Sequence, residues 1–325
     1  MQANSNKTFA DIVHEYIREK RATGFDFTKG PQTLGRIVEL QRDTDGSRPR
    51  LSQQLLDRWV EKTAWENETN RNHRICALRG LAVFMRRMGY EAVVIPTRLA
   101  PMKDYAYNPY IFSERELGLV LTGVDRVCAE SFSSHANLVF PIVFRILIGC
   151  GTRIGETVRI EKKDLDLETG CLLLRNTKNH KERLIPMAAS LTERCRAYMT
   201  STQSIRRFAE CSWLFPKHDG TPYNVRAVYS VFRNALHTAG VSHGGRGKGP
   251  RLHDLRHTFA VRLLNKWVGE GKNLTTALPH LALYMGHEAL KASQHYLRLT
   301  AGMFPELVRK VEKQYGWVIP EAYHG

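Results

Sequence analysis

The stretch Leu252-His253-Asp254-Leu255-Arg256-His257-Thr258-Phe259-Ala260-Val261-Arg262-Leu263 places apolar residues at 252, 255, 259 and 263. That spacing follows the 3.6-residue period of a helix and not the two-residue period of a strand, so it predicts a helix, here over Leu252 to Gly269. His253 and Arg256 stand three residues apart and therefore share a face, with His257 beside them. The apolar stripe buries the helix and leaves that polar face directed at a cleft. Taken alone, a histidine or an arginine on a helix is more often a solvated side chain than a functional one.

Upstream, the apolar run Leu138 to Gly149 ends in Gly151-Thr152-Arg153-Ile154-Gly155-Glu156. Arg153 sits where a buried helix stops, and Glu156 lies one turn on, close enough to hold the guanidinium. An arginine pre-oriented by a carboxylate suits a phosphate clamp, and it equally suits an ion pair between helices. Cys171 to Arg175 and Arg183 to Met187 are β-prone runs flanking the polar Asn176-Thr177-Lys178-Asn179-His180-Lys181-Glu182, which predicts a hairpin. Helical spacing continues over Ala188 to Met199, Val225 to Thr238, Leu274 to Met285 and Phe304 to Tyr315. Gly240 to Pro250, with five glycines, Arg246 and Lys248, predicts a basic loop. Downstream, Gly286 closes a helix, His287 starts the next turn and Tyr296 follows nine positions later; a lone tyrosine there is usually core packing.

The first 95 residues show helical spacing only. Phe9, Ile12, Val13, Tyr16 and Ile17 make one stripe; Leu34, Ile37, Val38 and Leu40 make a second, ended by the Asp43-Thr44-Asp45-Gly46 turn. Ser52 caps a helix over Gln53 to Lys62, and a fourth runs from Glu68 to Met88 with Gly89 as its left-handed stop. The front of that fourth helix is polar and basic, which marks Arg71 and Arg74 as candidates for phosphate contact. Between Ile95 and Pro109, three prolines with Lys103, Tyr105 and Tyr107 make an extended basic segment. Ser113-Glu114-Arg115-Glu116 then opens a new helix with a capping box. These signals divide the chain into a helical domain over 1–95, a linker over 96–110 and a second, mainly helical domain with a small β insert over 111–325.

Bulk properties narrow the function. A length of 325 residues suits two domains, and 42% hydrophobic against 25% charged residues is ordinary for globular folds. The 48 Lys plus Arg against 32 Asp plus Glu give a formal charge of +16, with basic residues in every segment, which implies a polyanionic partner. A basic ribosome-associated factor would share that charge. The six cysteines form no Cys-x-x-Cys pair and no zinc spacing, so they suit reduced thiols in a cytoplasmic protein. MQANSNKTFADIV lacks the apolar stretch of a signal peptide, and the Leu138 to Gly149 run carries Arg145 and is too short for a bilayer.

In order along the chain, an arginine, a hairpin lysine, a His-x-x-Arg box, a Gly-His box and a tyrosine resemble the catalytic set of the tyrosine recombinase (phage integrase) family. Arg153 matches the first arginine in its Gly-x-Arg-x-x-Glu setting, with Glu156 supporting it. His253 and Arg256 match the His-x-x-Arg box, His287 the Leu-x-Gly-His box with Met285 in place of the Leu, and Tyr296 the nucleophile. Lys178 fits the hairpin lysine by position, although Thr177 and Asn179 stand where the family has glycines and Lys181 is nearby. The resemblance covers about Ser113 to Thr300, and the details of Leu274 to His287 and of the tail look most like transposon- and phage-borne integrases.

That resemblance implies a helical, SAM-like core-binding domain and a mixed α/β catalytic domain forming a C-shaped clamp on DNA. It implies strand cleavage and rejoining through a 3′-phosphotyrosine, without metal or other cofactor. The expected partners are double-stranded DNA with inverted-repeat core sites, further copies of the chain as a dimer per site and a tetrameric synapse, and in some systems accessory DNA-bending proteins. Arg71, Arg74, Lys103, Lys181, Arg246 and Lys248 are the candidate DNA contacts. Two other readings share parts of the pattern: a type IB topoisomerase, which uses the same chemistry without synapsis, and a DNA-binding relative without chemistry. The helical first domain and the long tail after Tyr296 favour recombination over the first, and the filled catalytic positions argue against the second.

Overall fold

The computed structural model describes residues 7–24, 27, 30–46, 48–97, 99, 108–130, 135–175, 182–245, 249–286 and 296. The chain falls into two compact units, Met1–Tyr107 and Asn108–Gly325.

The first unit packs four helices, α1 (Phe9–Ala22), α2 (Gly30–Asp45), α3 (Gln53–Val60) and α4 (Glu68–Arg87). Each start has a local cause. Thr8 and Asp11 form a capping box at α1; Ser52 accepts from the Leu55 amide at 3.1 Å, and Asn67 from the Asn70 amide at 2.8 Å. Gly89, at φ +84°, turns the chain after α4 so that the Tyr90 amide donates to the Met85 carbonyl. The apolar stripes meet in a core built around Ile12, Tyr16, Leu34, Ile37, Leu55, Trp59 and Leu78, all buried.

One helix boundary in this unit differs from expectation, and two of the candidate DNA contacts explain it. α3 stops at Val60 and does not reach Lys62. Arg74 and Arg71 reach back from α4 and take the free carbonyls at its end: Arg74 donates to Trp59 and to Glu61 at 2.9 Å, and Arg71 to Val60 at 2.8 Å. Arg74 also grips Glu66 with two bonds, at 3.0 and 2.7 Å, and lies over the Trp59 ring. The two guanidiniums thus fasten the α3–α4 connection.

The second unit is built around α6 (Ala136–Cys150), whose Val139, Phe140, Val143, Phe144, Ile146 and Leu147 are all buried. α5 (Glu114–Ala129), α8 (Ala189–Thr202) and α11 (Asp254–Gly269) pack on it, and α10 (Val225–Thr238) covers α5. The single charge in the apolar run is neutralised, since Arg145 forms a two-pronged pair with Asp125 of α5 at 2.8 and 2.7 Å. After the short α7 (Ile154–Thr157), β1 (Leu165–Asp166), β2 (Cys171–Leu174) and β3 (Arg183–Pro186) form an antiparallel meander with Leu172 opposite Ile185. β1 and the short α9 (Arg206–Glu210) had no clear signal in the sequence. α12 (Leu274–Met285) lies against α11 and contacts β3, completing a mainly helical fold with one small sheet.

Candidate active site

α6 ends at Gly151, which adopts φ +59°. A Cβ there would come within 2.4 Å of the Phe259 ring of α11, so both the backbone turn and the close approach demand glycine. The turn frees the Gly151 carbonyl, which accepts from Arg256 Nη1 at 2.7 Å. Two residues later Arg153 caps α7: its amide donates to Glu156 Oε2 at 3.0 Å and its Nη1 to Glu156 Oε1 at 2.8 Å.

Glu156 is the hub. Besides Arg153 it accepts two bonds from Arg183 of β3, at 3.1 and 2.6 Å. Burial works against its negative charge, yet the bonds from Arg183 and Arg153 outweigh it and hold the carboxyl below its ordinary value. It stays ionised at neutral pH and fixes two guanidinium planes.

The end of α12 closes the site from the other side. Arg153 Nη2 donates to the Gly286 carbonyl at 3.0 Å, and Arg256 Nη2 to that of Met285. Both arginines are thus oriented by carbonyl oxygens, which direct a guanidinium without neutralising it. Arg256 is 3% exposed, and burial together with the neighbouring charge of Arg153 pushes its pKa down to about 10. It remains charged at pH 7, its guanidinium held by main-chain oxygens.

His253 occupies the turn before α11 at φ −68°, one residue short of the helix that the sequence extends to Leu252. Burial first, then the charges of His257 and Arg256, push its pKa down to about 4, so it is a neutral imidazole at pH 7. The His257 ring stands edge-on to it at 4.9 Å. His257 Nδ1 lies 3.2 Å from the Tyr296 hydroxyl. Tyr296 is 2% exposed among Ala260, Val261, Leu264, Leu281 and Met285. Burial raises its pKa against the opposing pull of Arg256 and Arg153, whose fields reach the phenol.

Arg153, Glu156, His253, Arg256 and Tyr296, spread over 144 positions of sequence, thus converge on one site. Arg183 and His257 join them although the sequence reading gave neither a task. A signal existed for each. Arg183 alternates with the buried Ile185 on β3, so both point inward, and His257 stands one helical turn from His253. Beside His253, an open groove of about 790 Å³ is lined by Ile154, Arg226, Tyr229, Arg233 and Arg251 among others. Lys178, Lys181, His287, Lys103, Arg246 and Lys248 lie outside the described residues, as does the helix expected over Phe304 to Tyr315.

Comparison with known proteins points one way. Residues 124–303 match the model of the phage integrase family. A putative integrase/recombinase, y4rB, of Sinorhizobium fredii is 25% identical over 95% of this chain and 98% of its own length. Tyrosine recombinase XerD of Corynebacterium glutamicum is 22% identical over 95% of this chain and 92% of its own. Among solved structures, the Tn1549 transposon integrase in complex with circular intermediate DNA superposes with a TM-score of 0.61 at 22% identity, covering 90% of this chain and 95% of that one. XerH recombinase bound to its difH substrate gives 0.60 at 18%, covering 84% and 76%. At these identities the structural likeness concerns the fold.

Proposed function

The chain belongs to the phage integrase family, and on that premise we propose that it is a site-specific tyrosine recombinase that cuts and rejoins DNA through a covalent 3′-phosphotyrosine. The observation that carries this reading is the pair of arginines, Arg153 and Arg256, fixed by the same helix end beside the hydroxyl of Tyr296.

When an alcohol attacks a phosphodiester, negative charge gathers on the non-bridging oxygens, and preorganised cationic donors lower that barrier. Arg153 and Arg256 fill this role, held by Glu156 and by backbone carbonyls so that little reorganises during reaction. His253, a neutral imidazole at the groove, holds the phosphate or assists proton transfer at the tyrosine, and His287 adds a further donor. Tyr296 Oη attacks phosphorus, the bond to the 5′-oxygen breaks, and the departing oxygen takes a proton from Lys178 or Lys181 of the hairpin. The phosphotyrosine conserves the bond energy, so a second 5′-hydroxyl reverses the step without ATP.

The groove with Arg226, Arg233 and Arg251 gives the DNA backbone a path away from His253. The helical domain over 1–95 grips the duplex as a core-binding domain, joined by the linker over 96–110. Two copies bind each inverted-repeat site and four form the synapse, serving the movement of a mobile element in a prokaryotic cytoplasm. Among the described residues no helix is long and apolar enough to cross a membrane.

The test is covalent trapping. Wild type and Tyr296→Phe are incubated with supercoiled and nicked DNA from the region flanking the coding gene, denatured and resolved on a gel. An adduct with wild type alone is expected; tight binding without an adduct would leave only a DNA-binding protein.

A further inference from the structure

We propose that His257 is a catalytic residue, accepting the proton of Tyr296 as its oxygen attacks the scissile phosphate. The inference rests on the recombinase reading above and assigns a step that it leaves open.

Geometry carries the assignment. Nδ1 of His257 lies 3.2 Å from the tyrosine oxygen, within reach for direct proton transfer. The ring planes are tilted at 57° with centroids 5.6 Å apart, so the rings do not stack and the contact runs between Nδ1 and the hydroxyl. His257 follows Arg256 on α11, so one rigid helix carries both the arginine that binds the phosphate and the base that meets the nucleophile. A backbone tied down by the buried bond from the Phe112 amide to Thr258 Oγ1, 3.1 Å, keeps that helix start in place. Among the described residues, the charged and titratable groups facing the pair are His253 before α11, Arg256 of α11 and Arg153 before α7, with Tyr284 of α12 in the same apolar cluster. None of these described groups is a carboxylate, and His257 Nδ1 stands within hydrogen-bond distance of the phenol. The His253 ring stands edge-on to His257, with centroids 4.9 Å apart.

The step balances. The Tyr296 O–H bond breaks and its proton goes to His257 Nδ1; Oη forms a bond to phosphorus; the bond from phosphorus to the 5′-oxygen breaks, and that oxygen is protonated from the hairpin side. On religation the histidine returns its proton to the tyrosine. For this the ring must carry its hydrogen on Nε2 before attack, with the phenol as donor.

The experiment compares wild type, Tyr296→Phe, His257→Ala and His257→Asn on nicked duplexes from the region flanking the coding gene, at the phosphate mapped by the wild-type adduct. Asparagine places an amide near Nδ1, keeping a hydrogen bond while removing the base. Each variant is also tried on a duplex with sulfur replacing the bridging 5′-oxygen, a leaving group that needs no proton. Cleavage by both His257 variants is expected to fall on the order of a hundredfold on ordinary and sulfur-substituted DNA alike, with binding retained. The deficit should narrow as pH rises towards the phenol's own ionisation. Should His257→Ala not fold, His257→Asn decides. Recovery in the asparagine variant would reduce His257 to a positioning residue, and recovery on sulfur-substituted DNA would place it at the leaving group; either overturns the proposal, as does wild-type cleavage by both variants. Absence of any wild-type adduct instead overturns the recombinase reading, and this assignment falls with it.

Discussion

Replacing Gly151 by alanine tests how the end of α6 builds the site. At φ +59° a residue with a Cβ loses about 1–2 kcal/mol relative to glycine. The new methyl would also start 2.4 Å from Cδ1 and 2.7 Å from Cγ of Phe259, inside van der Waals contact, and overpacking of this kind costs roughly 1–3 kcal/mol. Phe259 cannot easily yield, because its other face stacks on Tyr284 of α12 at 5.4 Å. The expected total is about 2–5 kcal/mol, read as a shift in urea midpoint at constant slope. Relaxation must move either α11 or the Gly151 carbonyl, and both hold Arg256, so strand cleavage should fall more steeply than stability. A Gly151→Ala protein with unchanged midpoint and wild-type cleavage would refute the claim that this glycine is required by its surroundings.

Glu156→Gln removes the charge shared by Arg153 and Arg183 and should cost about 2–4 kcal/mol by chemical denaturation while lowering cleavage; equal stability would show that the hub is dispensable. Because the folded carboxyl titrates below its ordinary value, its contribution is fully present above the unfolded pKa of about 4.3 and is lost as pH falls through the folded one, so wild type should lose more stability than Glu156→Gln on acidification below pH 5. Arg74→Ala should destabilise the first unit by about 2–4 kcal/mol, yet leave the salt dependence of DNA binding unchanged, since its charge is engaged with Glu66; a shallower salt slope would return it to the DNA interface. DNA affinity of the whole chain should fall by roughly 10³-fold or more between 50 and 200 mM salt, and a flat response would contradict a phosphate-tracking interface.

What the sequence discloses divides by physical type. Local signals were readable: the periodic helices Val225–Thr238 and Leu274–Met285, and the caps at Ser52 and Ser113. The site was legible as a set because its members are chemically unusual together, not because any one is. Direction was not legible. The pattern of α4 shows that Arg71 and Arg74 are basic, but not that three unpaired carbonyls at the end of α3 face them. Spacing puts His253 and His257 on one face, but which ring meets a tyrosine 39 positions away depends on how α12 and the following segment pack. Arg183 escaped for a similar reason, since its partner Glu156 comes from another element.

The carbonyls of Met285 and Gly286 give the clamp an unusual genetic signature. Two arginines separated by more than a hundred positions take their aim from adjacent main-chain oxygens, so what must be inherited at that point is a helix length and not a pair of side chains. Adding or deleting one residue within α12 would rotate those oxygens by about 100° and disarm both guanidiniums together. A scan of the chain should therefore find α12 far more sensitive to single insertions and deletions than to changes at its exposed positions, such as Leu283. Anyone grafting this clamp into another scaffold has to carry the terminus of a helix along with the arginines.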